Sequence, residues 1–253
     1  MRLIDLSLFE PIFEPLSGLT VGIVDGIGNM GDQLLCLAAR QLCKEFNIEH
    51  FTVNALAEDP IPKCDKLLLF GGGNIGFPPA AAIRIKAFES GIPCWLLPQS
   101  VIRQEDLKCE KMFFRESVSR DIIGGGEIAP DLALGFNFPE PKMNKSGSEI
   151  FLRRSGGSVH HHVRVQLKVD PAMFCHTPED YWNLTDEFKE IKTDRLHLAI
   201  CSLAMKTKTT LLPINYHKNI AMFKEWLEPI GCLWKDFVFS DSISENLGKR
   251  FIK

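Results

Sequence analysis

Short apolar runs alternate with amphipathic stretches through the first half of the chain. LTVGIVDG predicts a buried strand that leads through a glycine-rich turn into a helix over 32–46. Within that helix Leu34, Leu35, Leu37, Ala38, Leu42 and Phe46 fall near helical spacing. IEHFTVNA and KLLLFGGG predict two more strands, residues 80–90 a second helix, and CWLLPQSV, KMFFRES and the strand-like end IAPDLAL three further strands. Apolar runs this short, set between helices, predict a parallel sheet covered on both faces.

FPEPKMNKSGS interrupts the pattern with two prolines, then glycine and serine, and predicts a linker. The domain boundary is placed there, giving an N-terminal α/β domain over 1–144 and a smaller α/β domain over 145–253. The second domain opens with the strand EIFLRR, followed by the loop SGGSVHHHVR and the stretch VQLKVD. Residues 178–192 read as helix, with Thr177 as N-cap and Pro178 at its first position. The apolar segment TDRLHLAICSLAM, the strand TTLLPINY and a helix over 219–228 complete the unit. No fixed-period repeat is present.

Composition narrows the class. The chain has 253 residues, 45% hydrophobic and 24% charged, as expected of an ordinary globular protein and not of a disordered, collagen-like or coiled-coil chain. The net charge of −3 argues against a dedicated nucleic-acid binder. It is unevenly spread: residues 1–144 carry 13 basic and 19 acidic groups, residues 145–253 carry 16 and 13, and six of the seven histidines lie in the second part. That asymmetry is either chance or the mark of an anionic ligand on the C-terminal half.

No apolar run is long enough to span a bilayer, and the first residues lack a cleavable apolar core, so a cytoplasmic protein is expected. The eight cysteines form no CxxC pair and no zinc spacing, and most read as buried free thiols of a reducing compartment. Asn144 and Asn183 begin glycosylation sequons by pattern alone.

Two stretches match G-x-G-x-x-G: Gly26, Gly28 and Gly31, then Gly71, Gly73 and Gly76, each directly after a strand. Such turns bring backbone N–H groups up to a pyrophosphate, so an NAD(P)-binding oxidoreductase is one reading. Against it, the second strand ends in Val53-Asn54 without an acidic ribose ligand, and Asp32 opposes a phosphate at the helix start. Asp32 suits an N-cap or a hydrogen bond to a sugar hydroxyl. Pro78-Pro79 delays the second helix. Equally, both turns satisfy the plain need for glycine in a tight strand-to-helix turn.

Basic residues collect at strand ends in the second half. Arg153 and Arg154 end EIFLRR, Arg195-Leu196-His197 opens an apolar stretch, and Lys218 follows TTLLPINY. Ligands of open α/β sheets bind beyond the carboxyl ends of strands. Guanidiniums, an ammonium and an imidazole gathered there suit a small anion bearing phosphate and carboxylate. The competing reading is that these groups serve structural hydrogen bonds. His160–His162 read as part of a loop near the crevice and not as metal ligands. Arg115-Glu116-Ser117 reads as an internal ion-paired turn, and Asp131 follows Pro130 near the last strand of the first domain.

Taken in order, Gly28-Asn29-Met30-Gly31-Asp32, Gly71-Gly72-Gly73, Leu97-Pro98-Gln99-Ser100, Arg115-Glu-Ser-Val-Ser119, Pro130-Asp131, Leu152-Arg153, Thr193-Asp-Arg-Leu-His197 and Asn215-Tyr-His-Lys218 resemble the polysaccharide pyruvyl transferase family. The resemblance implies an α/β fold similar to GT-B glycosyltransferases, two Rossmann-like domains facing a cleft, the C-terminal one reduced. It implies transfer of a pyruvyl group from phosphoenolpyruvate to a sugar of a polysaccharide or its precursor, with ketal formation and phosphate release. Arg153, Arg195, Leu196 and His197 correspond to the family's donor-holding positions.

Lys218 joins the expected donor clamp. His197 is the expected general acid and base, because imidazole titrates near neutral pH, and Arg195 is its catalytic partner. The expected acceptor side comprises Gly28, Asn29, Gly31 and Asp32 on one turn, and Gly72, Gly73, Asn74 and Gln99 on the neighbouring strand ends. No cofactor and no metal is expected, phosphoenolpyruvate being a substrate. The expected acceptor is a saccharide or a lipid-linked oligosaccharide, and the lipid-linked form would bring the protein to the inner face of a membrane. Two departures stand out: only the His-rich loop separates EIFLRR from VQLKVD, and Ala204-Met-Lys-Thr-Lys208 replaces the family's small-Gly-Lys-Pro stretch. A nucleotide-sugar glycosyltransferase and a catalytically degenerate saccharide-binding relative are the alternative readings.

Overall fold

The computed structural model describes residues 1–25, 28–54, 60–69, 72–153, 163–165, 169–236 and 238–240. They fall into two compact units, Arg2–Asn137 and the chain from Phe138 onward joined by Met1.

The N-terminal unit opens with a one-turn helix α1 (Glu10–Phe13) between 3-10 turns, and continues through β1 (Thr20–Val24), α2 (Met30–Glu45), β2 (Glu49–Val53), β3 (Lys66–Leu69) and α3 (Pro78–Glu89). β4 (Cys94–Gln99), β5 (Lys111–Phe114), α4 (Ser117–Ile123) and β6 (Glu127–Ile128) complete it. The six strands form one parallel sheet in the order β2-β1-β3-β4-β5-β6. Central strands read as continuous apolar runs because both faces are covered. Every residue of β4 is buried, as are Val21–Val24 and Leu67–Leu69.

The second unit contains β7 (Gly147–Leu152), β8 (Val163–Val165), α5 (Pro178–Asp186), β9 (Phe188–Thr193), α6 (Leu196–Ala204), β10 (Lys208–Leu211), α7 (Lys218–Met222), β11 (Leu233–Trp234) and β12 (Val238–Ser240). Four strands form a parallel sheet in the order β11-β10-β9-β7, and β8 pairs with β12 separately. A lone parallel bridge, Leu152↔Val169, extends the four-stranded sheet past β7. Val169 is thus a one-residue stand-in for a second strand. The chain leaves β7 to one side for Val169 and returns to the other side for β9, just as it leaves β1 for β2 and returns for β3. Each unit therefore reverses direction between its first and third strand positions, the switch point at which open α/β sheets bind ligands.

Several elements differ from the sequence pattern. Residues 178–192 split: the helix stops at Asp186 and Phe188–Thr193 is strand β9, held between β7 and β10. Its apolar positions, Phe188 and Ile191, continue the helical spacing of Tyr181 and Leu184, so periodicity alone does not reveal the break. IAPDLAL is mostly not strand: β6 ends at Ile128 and Leu132–Gly135 is a 3-10 turn capped by Asp131. Ser117–Ile123 is the helix α4, absent from the pattern reading.

Pro78 and Pro79 do not delay α3 but form its first turn, where a missing N–H costs nothing. The helix expected over 219–228 begins at Lys218 and passes at Phe223 into a π-helical turn ending at Leu227. The helix expected from residue 32 starts at Met30. Arg154, the His160–His162 triple, Gly26 and Gly71 lie outside the described residues, as does part of VQLKVD.

Candidate functional site

In the N-terminal unit the two glycine turns follow β1 and β3, the strands that flank the switch point. Asn29, not Asp32, is the N-cap of α2: its side chain accepts from Gly31 N at 2.9 Å. Asp32 is the third helical residue and closes a capping box by accepting from Asn29 N at 2.9 Å through Oδ2. Its other oxygen, Oδ1, accepts from Gly72 N at 2.8 Å, across to the turn after β3. A single carboxylate thus ties the two turns together. The Gly72 peptide is gripped on its other side by Arg115, whose Nη2 donates to Gly72 O.

Arg115 and Asp131 are wholly buried and paired at 2.6 Å, and Arg115 Nε also donates to Ser100 Oγ at 2.8 Å. The ion-paired turn expected at Arg115 therefore holds Asp131 and the glycine turn at once. Asn74 is fixed in turn: Arg84 donates to its side-chain oxygen at 3.2 Å and pairs with Glu105 at 2.6 Å. Gly76, at φ +83°, donates its N–H to Glu105 at 2.8 Å; a β-carbon there would lie 2.7 Å from the Arg103 backbone nitrogen. Gln99 ends β4 almost fully buried, and its Oε1 has no hydrogen-bond partner among the described residues. Asn29, Asp32 and Gly72 are thus joined into one cradle, Asn74 is held separately by Arg84, and Gln99 leaves a buried acceptor at the end of β4.

In the second unit the corresponding place is the end of β7 and β9, paired through Leu152↔Thr193. Arg153 follows Leu152 and is 0% exposed. Its Nε and Nη2 donate to Asp194 Oδ2 at 3.2 and 3.1 Å, and Asp194 is also fully buried. Arg195 caps α6; its N–H donates to Thr193 Oγ1 at 3.0 Å. Its guanidinium grips Asp170 with two bonds, Nε to Oδ1 at 2.7 Å and Nη2 to Oδ2 at 2.9 Å. Each arginine is therefore matched by a carboxylate, Arg153 by Asp194 at the end of the adjacent β9 and Arg195 by Asp170 beyond the Val169 bridge, which lets a charge sit in a largely dry place.

His197 is the second residue of α6 and 8% exposed, while Leu196 is core. Lys218 opens α7, 6% exposed, its ammonium 5.5 Å from the centre of the Tyr216 ring. The next residue, Asn219, pins α7 to the sheet by donating to both Asp194 O and Leu212 O at 2.9 Å. Beside Arg195 lies Tyr181, whose buried hydroxyl has no hydrogen-bond partner among the described residues and whose phenol burial pushes up.

The structure thus brings Arg153, Arg195 and His197 to the ends of adjacent strands, with the α7 residue after Lys218 tied to the carbonyls of Asp194 and Leu212. Sequence reasoning did not assign Asp170, Asp194 or Asn219. A signal for the first was present: Asp170-Pro171 after an apolar run is a cap signature, and Asp170 does cap a 3-10 turn. The need of a buried arginine for a counter-charge was another. None of the described helices is long and apolar enough to cross a membrane.

A structure of a functionally uncharacterised protein from Klebsiella pneumoniae is similar over 92% of this chain and 96% of its own, at 16% identity and a TM-score of 0.62, a likeness of fold. The transcription regulator CcpA of Lactococcus lactis, at 10% identity over 87% of this chain and 97% of its own, has a TM-score of only 0.27. A periplasmic solute-binding protein of Actinobacillus succinogenes with bound D-allose, at 13% identity over 88% of this chain and 96% of its own, scores 0.24. Neither of these two carries an argument. No curated protein matches the chain. The family model described as polysaccharide pyruvyl transferase matches residues 29–216, which run from the Asn29 cap past the arginine-bearing strand ends to Tyr216. The chain belongs to the polysaccharide pyruvyl transferase family, a family of transferases acting toward sugar or polysaccharide acceptors.

Proposed function

We propose that the protein moves the pyruvyl group of phosphoenolpyruvate onto a sugar of a polysaccharide or its precursor, forming a cyclic ketal and releasing phosphate. The observation that carries this reading is the gathering of Arg153, Arg195 and His197 at the β7–β9 switch point of the smaller unit. Lys218 opens α7, which Asn219 fastens to the ends of β9 and β10 through Asp194 O and Leu212 O.

The chemistry sets what such a site must do. Protonation of the donor's methylene carbon makes its C2 strongly electrophilic. One sugar hydroxyl attacks C2 and loses its proton. The C2–O bond to phosphate then breaks, and a second hydroxyl of the same sugar attacks and loses its proton, closing the ketal. Arginine forks match both the carboxylate and the phosphate of the donor. His197 supplies a proton to the methylene carbon or accepts one from a hydroxyl. Positioning and charge stabilisation supply most of the rate. On the N-terminal unit, the cradle of Asn29, Asp32 and Gly72, together with Asn74, is the acceptor surface in this reading, with Gln99 Oε1 an acceptor for a sugar hydroxyl.

The test is phosphate release from phosphoenolpyruvate across a panel of sugar acceptors, beside thermal stabilisation by phosphoenolpyruvate and by UDP- and GDP-sugars. The expected result is acceptor-dependent release, abolished in folded Arg195→Ala and His197→Ala. Near-normal release in either variant overturns the residue roles. Stabilisation by a nucleotide sugar and not by phosphoenolpyruvate overturns the donor.

A further inference from the structure

Arg195 offers its donor through only part of its guanidinium. The fork has two edges that fit a carboxylate or phosphate: side-on, Nε with Nη2, and end-on, Nη1 with Nη2. Asp170 occupies the side-on edge, at 2.7 and 2.9 Å. Asp170 is itself immobilised. It is 5% exposed, Oδ1 accepts from Ala172 N at 3.1 Å, and the preceding residue is locked beside β7 by the Leu152↔Val169 bridge and by Arg153 N donating to Val169 O at 2.8 Å. Pro171 follows and opens the 3-10 turn. The one-residue stub strand thus exists with its end turned into a fixed bracket for a guanidinium.

Charge makes the pairing informative. A site built only to attract a small polyanion gains nothing from a carboxylate beside its arginine, since Asp170 cancels the charge the ligand needs. Orientation is what the pair supplies in exchange. We propose that Asp170 is a positioning residue for pyruvyl transfer: it clamps the side-on edge of Arg195, so that the end-on edge meets the donor in the reacting geometry. This inference rests on the reading of the preceding section, and it makes Asp170 matter more to turnover than to donor affinity.

The test is steady-state phosphate release by the whole chain carrying Asp170→Asn, Asp170→Glu, Arg195→Lys, or Arg195→Lys with Asp170→Asn, each checked by thermal melting. Asparagine keeps an acceptor for Ala172 N but loses the charge and the two-point grip. Expected is a kcat down about 100-fold, the scale of a misplaced reacting group, with a KM for phosphoenolpyruvate equal to or below that of the unmodified chain because the site has gained positive charge. Asp170→Glu keeps the charge and moves the carboxylate, so it too should lower kcat at unchanged KM; it decides the matter if Asp170→Asn does not fold. On the Arg195→Lys background Asp170→Asn should cost little more, because the two residues act as a unit.

A folded Asp170→Asn with unaltered kcat overturns the proposal. So does a rise in KM alone, or an undiminished loss on the Arg195→Lys background. If the unmodified chain releases no phosphate from phosphoenolpyruvate with any acceptor, the functional reading falls and this inference with it. An active unmodified chain with an indifferent Asp170 removes this inference alone.

Discussion

Arg115 is the residue on which the N-terminal cradle rests. Its guanidinium reaches Ser100, Asp131 and Gly72, on the ends of three different strands and turns, with no exposure to solvent. Removing one partner of such a pair leaves an uncompensated buried charge, so Asp131→Ala should lower stability by about 3–5 kcal/mol in urea unfolding. A loss of less than about 1 kcal/mol, the scale of an exposed pair, would contradict this burial. The turn was legible as an internal ion pair from Arg-Glu-Ser at a strand end. The bond from Arg115 to Gly72, 43 positions away, was not, since sequence spacing says nothing of what a crossover brings near. Asp170 was hidden for the same reason, 25 residues from the arginine it holds.

The thiols are unpaired with one another, and six of the eight are buried, Cys64 and Cys109 being half-buried. Burial pushes the Cys43 and Cys232 thiols from an ordinary 9.0 up to about 12. The sign follows from proton counting: above pH 9.0 the unfolded chain loses thiol protons that the folded chain keeps until about 12, so folding stability falls with rising pH across that window. Each such thiol contributes a slope of about 1.4 kcal/mol per pH unit. Urea unfolding below and above pH 9.0 should show the fall, and Cys43→Ala should shallow it. An identical slope in that variant would show that the thiol already meets solvent.

At the scale of elements, the start of α5 was legible and its end was not. Thr177-Pro178 opens α5, and Asp180 Oδ2 accepts from both His176 N at 2.7 Å and Thr177 N at 2.9 Å. Those backbone donors hold the Asp180 carboxyl below its ordinary 3.8. The contribution is present above that value and lost as pH falls through the lowered one. Asp180→Ala should cost about 1 kcal/mol at neutral pH, the usual value of a cap, and nothing once the carboxyl is protonated in acid. An equal loss at both pH values would locate the effect elsewhere. The end of α5 gave no local sign, because only pairing with β7 and β10 makes Phe188–Thr193 a strand. Strands β1, β3 and β4 were plain because burial on both faces leaves them uniformly apolar.

At the scale of the molecule, the alternation of strand and helix made two parallel α/β sheets readable, while their strand order was not. The order decides where the chemistry sits. In each unit the residues singled out from sequence lie beside the switch point, the glycine turns at β1–β3 and the arginines at β7–β9. The linker reading placed the boundary near residue 144, and the compact units divide at Asn137 and Phe138. The positive charge of the C-terminal half is partly spent internally, as Arg153 and Arg195 are each balanced by an aspartate. The account therefore turns on whether so balanced a site still holds a small dianion or trianion.

Calorimetric titration of phosphoenolpyruvate into the whole chain and into Arg195→Ala, without acceptor, asks this directly. The account predicts saturable binding at a single site, weakened by about 2–5 kcal/mol in the variant, as when one partner of a hydrogen-bonded charge pair is lost. Binding of equal strength in both proteins would contradict it.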